Sequence, residues 1–132
     1  LNGALAGLVA ITAEPLTPTP ITAMIIGSIG AVIMYYGTKL LENLGLDDVV
    51  GAIPVHMFAG IFGTLVVPLT NADTSFGTQF IGVISVCVFS FVLSWITFST
   101  LKSTIGLRIS RAAEKQGTDK AEVGVVAYSI RD

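Results

Sequence analysis

Charged residues are scarce in this chain. Asp, Glu, Lys and Arg together make up 12% of the 132 residues, whereas hydrophobic residues make up 52%, and the mean hydropathy is +0.81. A soluble domain is about a quarter charged, so the composition excludes an ordinary soluble protein and indicates a membrane protein. The net charge of -2, with both signs spread along the chain, gives no basis for binding nucleic acid.

Cysteine and histidine are rarer still. The single cysteine, Cys87, cannot form a disulfide within the chain and is expected to be inert in its apolar run. One cysteine, one histidine and scattered acids cannot assemble a zinc site or a catalytic triad. We therefore expect no metal, no cofactor and no enzymatic activity. The chain opens at Leu1 without the charged flank of a secretory signal, which indicates a piece of a longer protein.

Uncharged runs give the chain its organisation. A helix of about 20 apolar residues crosses a hydrocarbon core of about 30 Å, and prolines between the first two runs interrupt the helix there. Four spans are predicted: 1–13 (truncated), 21–43, 49–70 and 76–102. The range 1–105 is thus expected to be transmembrane, and the range 106–132, of mixed charge, to be a soluble tail.

The basic residues predict the orientation. All seven Lys and Arg residues fall on one side if the chain crosses the membrane at each span, and by the positive-inside rule that side is cytoplasmic. We therefore expect a multi-pass protein of the cell membrane with a cytoplasmic C-terminus. The loops that carry Glu14 and Asp73 would face outside.

The third span carries the only histidine, His56. It lies about 12 Å along the helix from Asp48, near the middle of the bilayer, where an ionisable group is expected to face protein or a water-lined path. Three roles are open: a hydrogen-bonded core histidine, a haem or metal ligand, and part of a translocation path or proton relay. An imidazole suits the last role because it titrates near neutrality.

The residues around His56 predict how its helix is built. Asp48 or Asp47 is expected to cap the helix by accepting hydrogen bonds from the first-turn amides; alternatively, one of them lies at the cytoplasmic mouth of a pathway. Pro54 leaves the Val50 carbonyl without its usual donor, which protein or water must replace. Residues three or four positions apart share one face of an α-helix. The face predicted here either packs closely on another helix or lines a narrow lumen, and it is made of Ala52, His56, Ala59, Gly60 and Gly63.

Two further local patterns lie near the chain ends. Gly3 and Gly7 would let another helix approach closely, and Asn2 either hydrogen-bonds a neighbouring helix or lies near an interface. In the tail, Ser110 is predicted to cap a short helix that Gly117 ends.

Three motifs in register resemble one family. They are 47–56 (DDVVGAIPVH), 2–13 (NGALAGLVAITA) and 106–110 (GLRIS), and together they resemble the C-terminal part of the ammonium transporters of the Amt/Mep/Rh family. The resemblance covers nearly the whole chain. It implies an all-α membrane protein in which these spans are the last four of eleven helices, arranged in two inverted repeats and followed by a cytoplasmic tail. It also implies a homotrimer with a narrow pore through each protomer.

The resemblance also implies roles for single residues. His56 would be the second member of the family's pore histidine pair, Ala52 would line the pore one turn earlier, and Asp48 would be the acid below the pore. Ammonium would be deprotonated on passage, because an apolar pore disfavours the cation, whereas potassium has no proton to give up. Met57 and Val49 depart from the common pattern without removing a group that this mechanism uses.

The tail matches the family spacing at residues to which the resemblance gives a regulatory role: Arg108, Ser110, Glu114, Gly117, Asp119 and Tyr128. In the family this tail packs under the trimer, and PII-type signal proteins act there. The implied partners are therefore ammonium or ammonia, the lipid bilayer, further copies of the chain and a PII-type protein. Thr118 and Val123 replace a usual leucine and histidine.

The predicted function is transmembrane transport of ammonium or ammonia through a narrow apolar pore with a midplane histidine. The alternative is a transporter-like ammonium sensor that signals through its tail, and a third possibility is a gas channel of the Rh type. We expect no transport by this piece alone, because it holds only the second pore histidine.

Overall fold

The computed structural model describes residues 1–127, and no strand occurs among them. The elements are α1 (Asn2–Ile11), α2 (Pro20–Asn43), a third helix of changing pitch, α4 (Phe76–Thr104) and α5 (Arg111–Gln116), followed by a π turn (Asp119–Val123). The predicted all-α class is confirmed for this part of the chain. The chain divides into two compact units, of which the first is Leu1–Val88.

The third helix, Ile53–Leu69, has three pitches. It begins with a π turn (Ile53–Phe58), continues as α3 (Ala59–Val66) and ends in a 3-10 turn (Val67–Leu69). In the π turn the amide of Ala59 donates to the carbonyl of Pro54, five residues earlier. Single π turns inside helices occur frequently at functional sites, and this one contains His56.

Within residues 1–127, two helices are long and apolar enough to cross a membrane: Pro20–Asn43, with a mean hydropathy of 1.6, and Phe76–Thr104, with 2.3. The first starts one position before the predicted span, because Thr19 caps it and Pro20 takes the first helical position, where a missing N–H is tolerated. No residue of α4 is buried.

Glycines bring the helices of the first unit into backbone contact. A Cβ built on Gly7 would lie 3.0 Å from the carbonyl oxygen of Gly27 in α2. One built on Gly63 would lie 2.2 Å from the carbonyl oxygen of Ala10 in α1. No side chain larger than hydrogen fits without a shift, so the close approach predicted for Gly3 and Gly7 is confirmed at Gly7.

A small apolar core joins α1 to the third helix. Ala6 and Ala59 are 0% exposed and Val55 is 2% exposed. These short side chains allow the helix axes to come close together, and Val9 and Met34 pack around them. Because Val55 directly precedes His56, this core fixes the backbone from which the imidazole projects.

Candidate functional site

The N-terminus of the third helix is closed by Asp48. Its carboxylate accepts hydrogen bonds from the amides of Ala52 and Ile53, both at 2.8 Å, and its carbonyl accepts one from the amide of Gly51 at 3.1 Å. A carboxylate at this position also interacts favourably with the positive end of the helix dipole. Asp47, the neighbouring acid, is exposed.

The helix begins later than the predicted span 49–70, because residues 49–51 form a turn before it. Gly51 has a φ of +73°, a left-handed conformation that side chains other than hydrogen disfavour. The two bonds of the Asp48 carboxylate therefore reach amides four and five residues ahead.

The prediction that Pro54 removes the helical donor of the Val50 carbonyl assumed a helix through Val50. Val50 instead lies in the turn before the helix, whose first backbone bond runs from the amide of Val55 to the carbonyl of Gly51 at 3.0 Å. The side-chain amide of Asn2 donates to the Val50 carbonyl at 3.0 Å. Of the two roles open for Asn2, the structure shows a hydrogen bond, which is made to the turn that precedes the third helix.

His56 lies on an exposed side of the π turn, the histidine face, made of Ala52, Ile53, His56 and Met57. Pro54 and Val55 are buried in the same turn, so the turn has one packed side and one open side. The histidine face therefore carries the imidazole beside the small Ala52 and two apolar side chains. Within residues 1–127 there is no group of three His, Cys, Asp or Glu residues that could hold a metal ion.

The structure divides the five-residue face that α-helical spacing predicts. Ala59 and Gly63 are buried and Gly60 is half-buried, whereas Ala52 and His56 are exposed. His56 lies within the π turn, whose wider pitch changes the angle between successive side chains, whereas Ala59, Gly60 and Gly63 follow it in α3. One part of the predicted face packs against α1, and the other part is open.

A second polar contact joins two loops at the opposite end of the first unit. The Glu14 carboxylate accepts hydrogen bonds from the side-chain amide of Asn71 at 2.8 Å and from the amide of Leu16 at 3.2 Å. These donors stabilise the charged form, and they lower the pKa of Glu14. No sequence pattern indicated this pairing, because the residues are 57 positions apart.

In the second unit, the predicted cap of the tail helix is confirmed. The hydroxyl oxygen of Ser110 accepts a hydrogen bond from the amide of Ala113 at 3.2 Å. Gly117 ends α5 with a φ of +94°, which glycine adopts most readily.

Other tail residues that the family pattern singles out contact one another or the nearby backbone. Arg108 forms an exposed ion pair with Glu114. The Asp119 carboxylate accepts a hydrogen bond from the amide of Ala127 at 2.7 Å, and this bond lowers the pKa of the Asp119 carboxyl. Tyr128 lies outside the described residues.

Comparison with known proteins identifies one family over almost the entire chain. The sequence model of the Ammonium Transporter Family matches residues 1–128. The chain is 39% identical to ammonium transporter Amt2 of Archaeoglobus fulgidus, over 96% of this chain and 31% of that protein. It is 38% identical to ammonium transporter Amt1 of Methanocaldococcus jannaschii, over 97% of this chain and 35% of that protein.

A more distant relative extends the match to another group of organisms. The ammonium transporter of Corynebacterium glutamicum is 32% identical, over 98% of this chain and 32% of that protein. The chain therefore spans about a third of the length of these relatives. Since the family match extends through both units, including the capped helix entry with its histidine and the tail, the chain belongs to the ammonium transporter family.

Proposed function

We propose that this chain forms part of a membrane protein that transports ammonium, and that the histidine face borders the substrate path. Membership of the family and the names of the relatives support the substrate. We place the path beside the histidine face because the His56 side chain is exposed, whereas Pro54 and Val55 in the same turn are buried. An ionisable side chain in an apolar helix is expected to face protein or a water-lined path.

The helix around His56 is held on both sides of the imidazole. Before it, Asp48 binds two amides; after it, Ala59 is buried against α1. The imidazole therefore projects from a backbone with little freedom to turn, as a group that must meet a passing substrate requires. The other walls of the path would come from helices that correspond to the rest of the relatives' length.

The proposed mechanism separates the proton from the nitrogen. Ammonium that enters an apolar path loses its hydration, and this loss favours the neutral form. The cation gives one proton to water at the entrance, ammonia crosses, the proton crosses by a separate hydrogen-bonded route, and the two recombine on the far side. A neutral imidazole has one nitrogen that donates and one that accepts, so His56 can bind ammonia while it remains uncharged. Potassium would have to cross as a desolvated charge.

The two acids at the helix entry have separate proposed roles. The Asp48 carboxylate is engaged by the amides of Ala52 and Ile53, so its role is to hold the helix entry. Asp47 is exposed beside it and is the candidate for the cytoplasmic mouth of the path. The small side chain of Ala52 leaves room next to the imidazole.

The proposed topology is four spans with the C-terminus in the cytoplasm. The contact between Glu14 and Asn71 supports it, because it joins the loops that follow α1 and the third helix at one end of the first unit. The contact between Asn2 and Val50 joins the starts of these helices. The eleven-helix protomer, the homotrimer and a PII-type protein acting on the tail are proposed from the family resemblance alone.

The test is ammonium-evoked current in proteoliposomes that contain the full-length protein, with wild type beside His56→Ala and His56→Gln. The control is Asn43→Ala, an exposed position at the end of α2. We expect His56→Ala to lower the current about tenfold or more, or to remove the selectivity over potassium. Loss of an interaction that lowers the transport barrier by about 1.4 kcal/mol slows the rate tenfold.

Two results would contradict the proposal. If His56→Ala conducts with the rate and selectivity of wild type, His56 does not border the path. If wild type binds ammonium without passing current and His56→Ala changes only that binding, the protein is a sensor and not a transporter.

A further inference from the structure

Helix α2 meets the π turn at a residue without a side chain. Gly37 is buried, and a Cβ built on it would lie 2.5 Å from the Cδ2 atom of the Phe58 ring and 3.1 Å from the Cβ of Pro54. Carbon atoms that pack without strain are about 3.5–4.0 Å apart. The π turn therefore lies against the backbone of α2 at a distance that only glycine allows.

The residues that pack on Gly37 lie on the side of the turn away from the imidazole. Pro54 is buried and Phe58 is half-buried, whereas His56, two positions from each of them, is exposed on the histidine face. The packed side and the open side belong to one short stretch of backbone. The distance between the packed side and α2 therefore also sets how far the imidazole projects on the open side.

Helix α1 holds both α2 and the turn. A Cβ on Gly30 of α2 would lie 3.0 Å from the carbonyl oxygen of Ala6, so the backbones of α1 and α2 touch there. The side chain of Ala6 also belongs to the buried core that contains Val55 of the turn. With the contact at Gly37, the three segments are joined in pairs, and the turn is supported behind the imidazole by two helices.

The cap and the α2 contact act on different parts of the turn. The Asp48 carboxylate binds two amides at the start of the helix, both at 2.8 Å, whereas Gly37 faces residues farther along. A methyl group at position 37 would need about 1 Å more room beside Phe58. The Cβ of Pro54 cannot rotate away, because it belongs to a ring closed on the backbone. The turn would therefore move away from α2, toward its open side.

We propose that Gly37 is a positioning residue for His56. Because it carries no side chain, the π turn lies directly on α2, and this contact sets the place from which the imidazole enters the substrate path. The inference rests on the proposed function of His56. In enzymes, a displacement of about 1 Å at the reacting groups costs up to about a hundredfold in rate, so one methyl group at position 37 is large enough to change transport.

The test uses the full-length protein in proteoliposomes, in which the ammonium-evoked current and the ratio of ammonium to potassium current are measured. Gly37→Ala places the methyl group against the turn. Gly30→Ala is the matched control in the same helix, because its Cβ would instead lie 2.7 Å from the Cβ of Ala10 in α1. Each substitution is made alone and together with Phe58→Ala, which removes the ring atoms nearest to position 37.

We expect Gly37→Ala to lower both the ammonium current and the ratio about tenfold. In the Phe58→Ala background the same substitution should cost less than about twofold, because the two changes act on one contact. The contact that remains, with the Cβ of Pro54 at 3.1 Å, requires a much smaller shift. Gly30→Ala should keep the ratio of wild type, since a general loss of packing lowers the amount of folded protein and not its selectivity.

The outcomes separate this inference from the proposed function. If wild type carries no ammonium-evoked current, the proposed function fails and the inference with it. If His56→Ala loses the current but Gly37→Ala matches wild type, the inference alone is overturned. It is also overturned if Gly30→Ala lowers the ratio as much as Gly37→Ala, or if Phe58→Ala does not reduce the cost of Gly37→Ala.

A second variant decides the matter if Gly37→Ala does not accumulate. Phe58→Ala alone removes the support of the turn on α2 without adding a clash, so the inference requires that it lower the ratio by about twofold or more. A Phe58→Ala protein with the ratio of wild type overturns the inference.

Discussion

Gly63→Ala should force α1 and α3 apart. A Cβ at Gly63 would lie 2.2 Å from the carbonyl oxygen of Ala10 and 2.8 Å from its carbonyl carbon. Both atoms belong to the backbone of α1, so neither can rotate away, and one helix must shift. Overpacking of this kind costs about 1–3 kcal/mol, and a clash with backbone belongs at the upper end.

The expected net effect follows from two opposing contributions. Alanine is favoured over glycine in a helix by about 1 kcal/mol, which offsets part of the clash of about 3 kcal/mol. We therefore expect Gly63→Ala to lower the free energy of unfolding by about 2 kcal/mol. Because α3 continues directly from the π turn, the shift should also lower the ammonium current of the full-length protein.

The measurement is denaturant unfolding of the purified full-length protein in detergent micelles. The matched control is Gly82→Ala in α4, where a Cβ would meet nothing within 4 Å, and where the helix propensity predicts a gain of up to about 1 kcal/mol. If Gly63→Ala is as stable as Gly82→Ala, the close backbone contact between α1 and α3 does not exist in the protein.

Two further predictions concern single carboxylates. Asp48→Ala removes the acceptor of two helix amides and should lower the free energy of unfolding by about 1–2 kcal/mol in a denaturant titration. The control, Asp47→Ala, should change the free energy of unfolding by no more than about 0.5 kcal/mol. Equal effects of the two substitutions would contradict the capping role of Asp48. The amide of Asn71 lowers the pKa of Glu14 from its ordinary 4.5. The folded value is the lower one, so the stabilisation is present above pH 4.5 and is lost as the pH falls through the folded pKa. Asn71→Ala should weaken this acid dependence of the unfolding temperature, and an unchanged profile would refute the contact.

Much of the architecture was predictable because it depends on patterns within one segment. Uncharged runs predicted the apolar helices, since length and composition suffice to match a hydrocarbon core. Ser110 and Gly117 predicted the ends of the tail helix, because caps depend on residue types a few positions apart.

The candidate site was predictable only in part. The sequence indicated His56 as the residue of interest, because an ionisable group in an apolar run is costly. It also placed Ala59 and Gly63 on the same face as His56, which the burial of these residues does not support. The prediction assumed a regular α-helix throughout, whereas His56 lies in a π turn over Ile53–Phe58 and the buried residues lie in the α-helix that follows.

The sequence by itself determined the helical class, the apolar character, the family and the residue types at the helix entry. Only the tertiary structure decided that Asn2 binds the carbonyl of Val50, 48 positions away, and that Asn71 binds Glu14. Local patterns fix what each segment needs, because backbone geometry and side-chain chemistry act over a few residues. Which distant group meets that need depends on how closely the helices pack, and the glycines where their backbones touch set that distance.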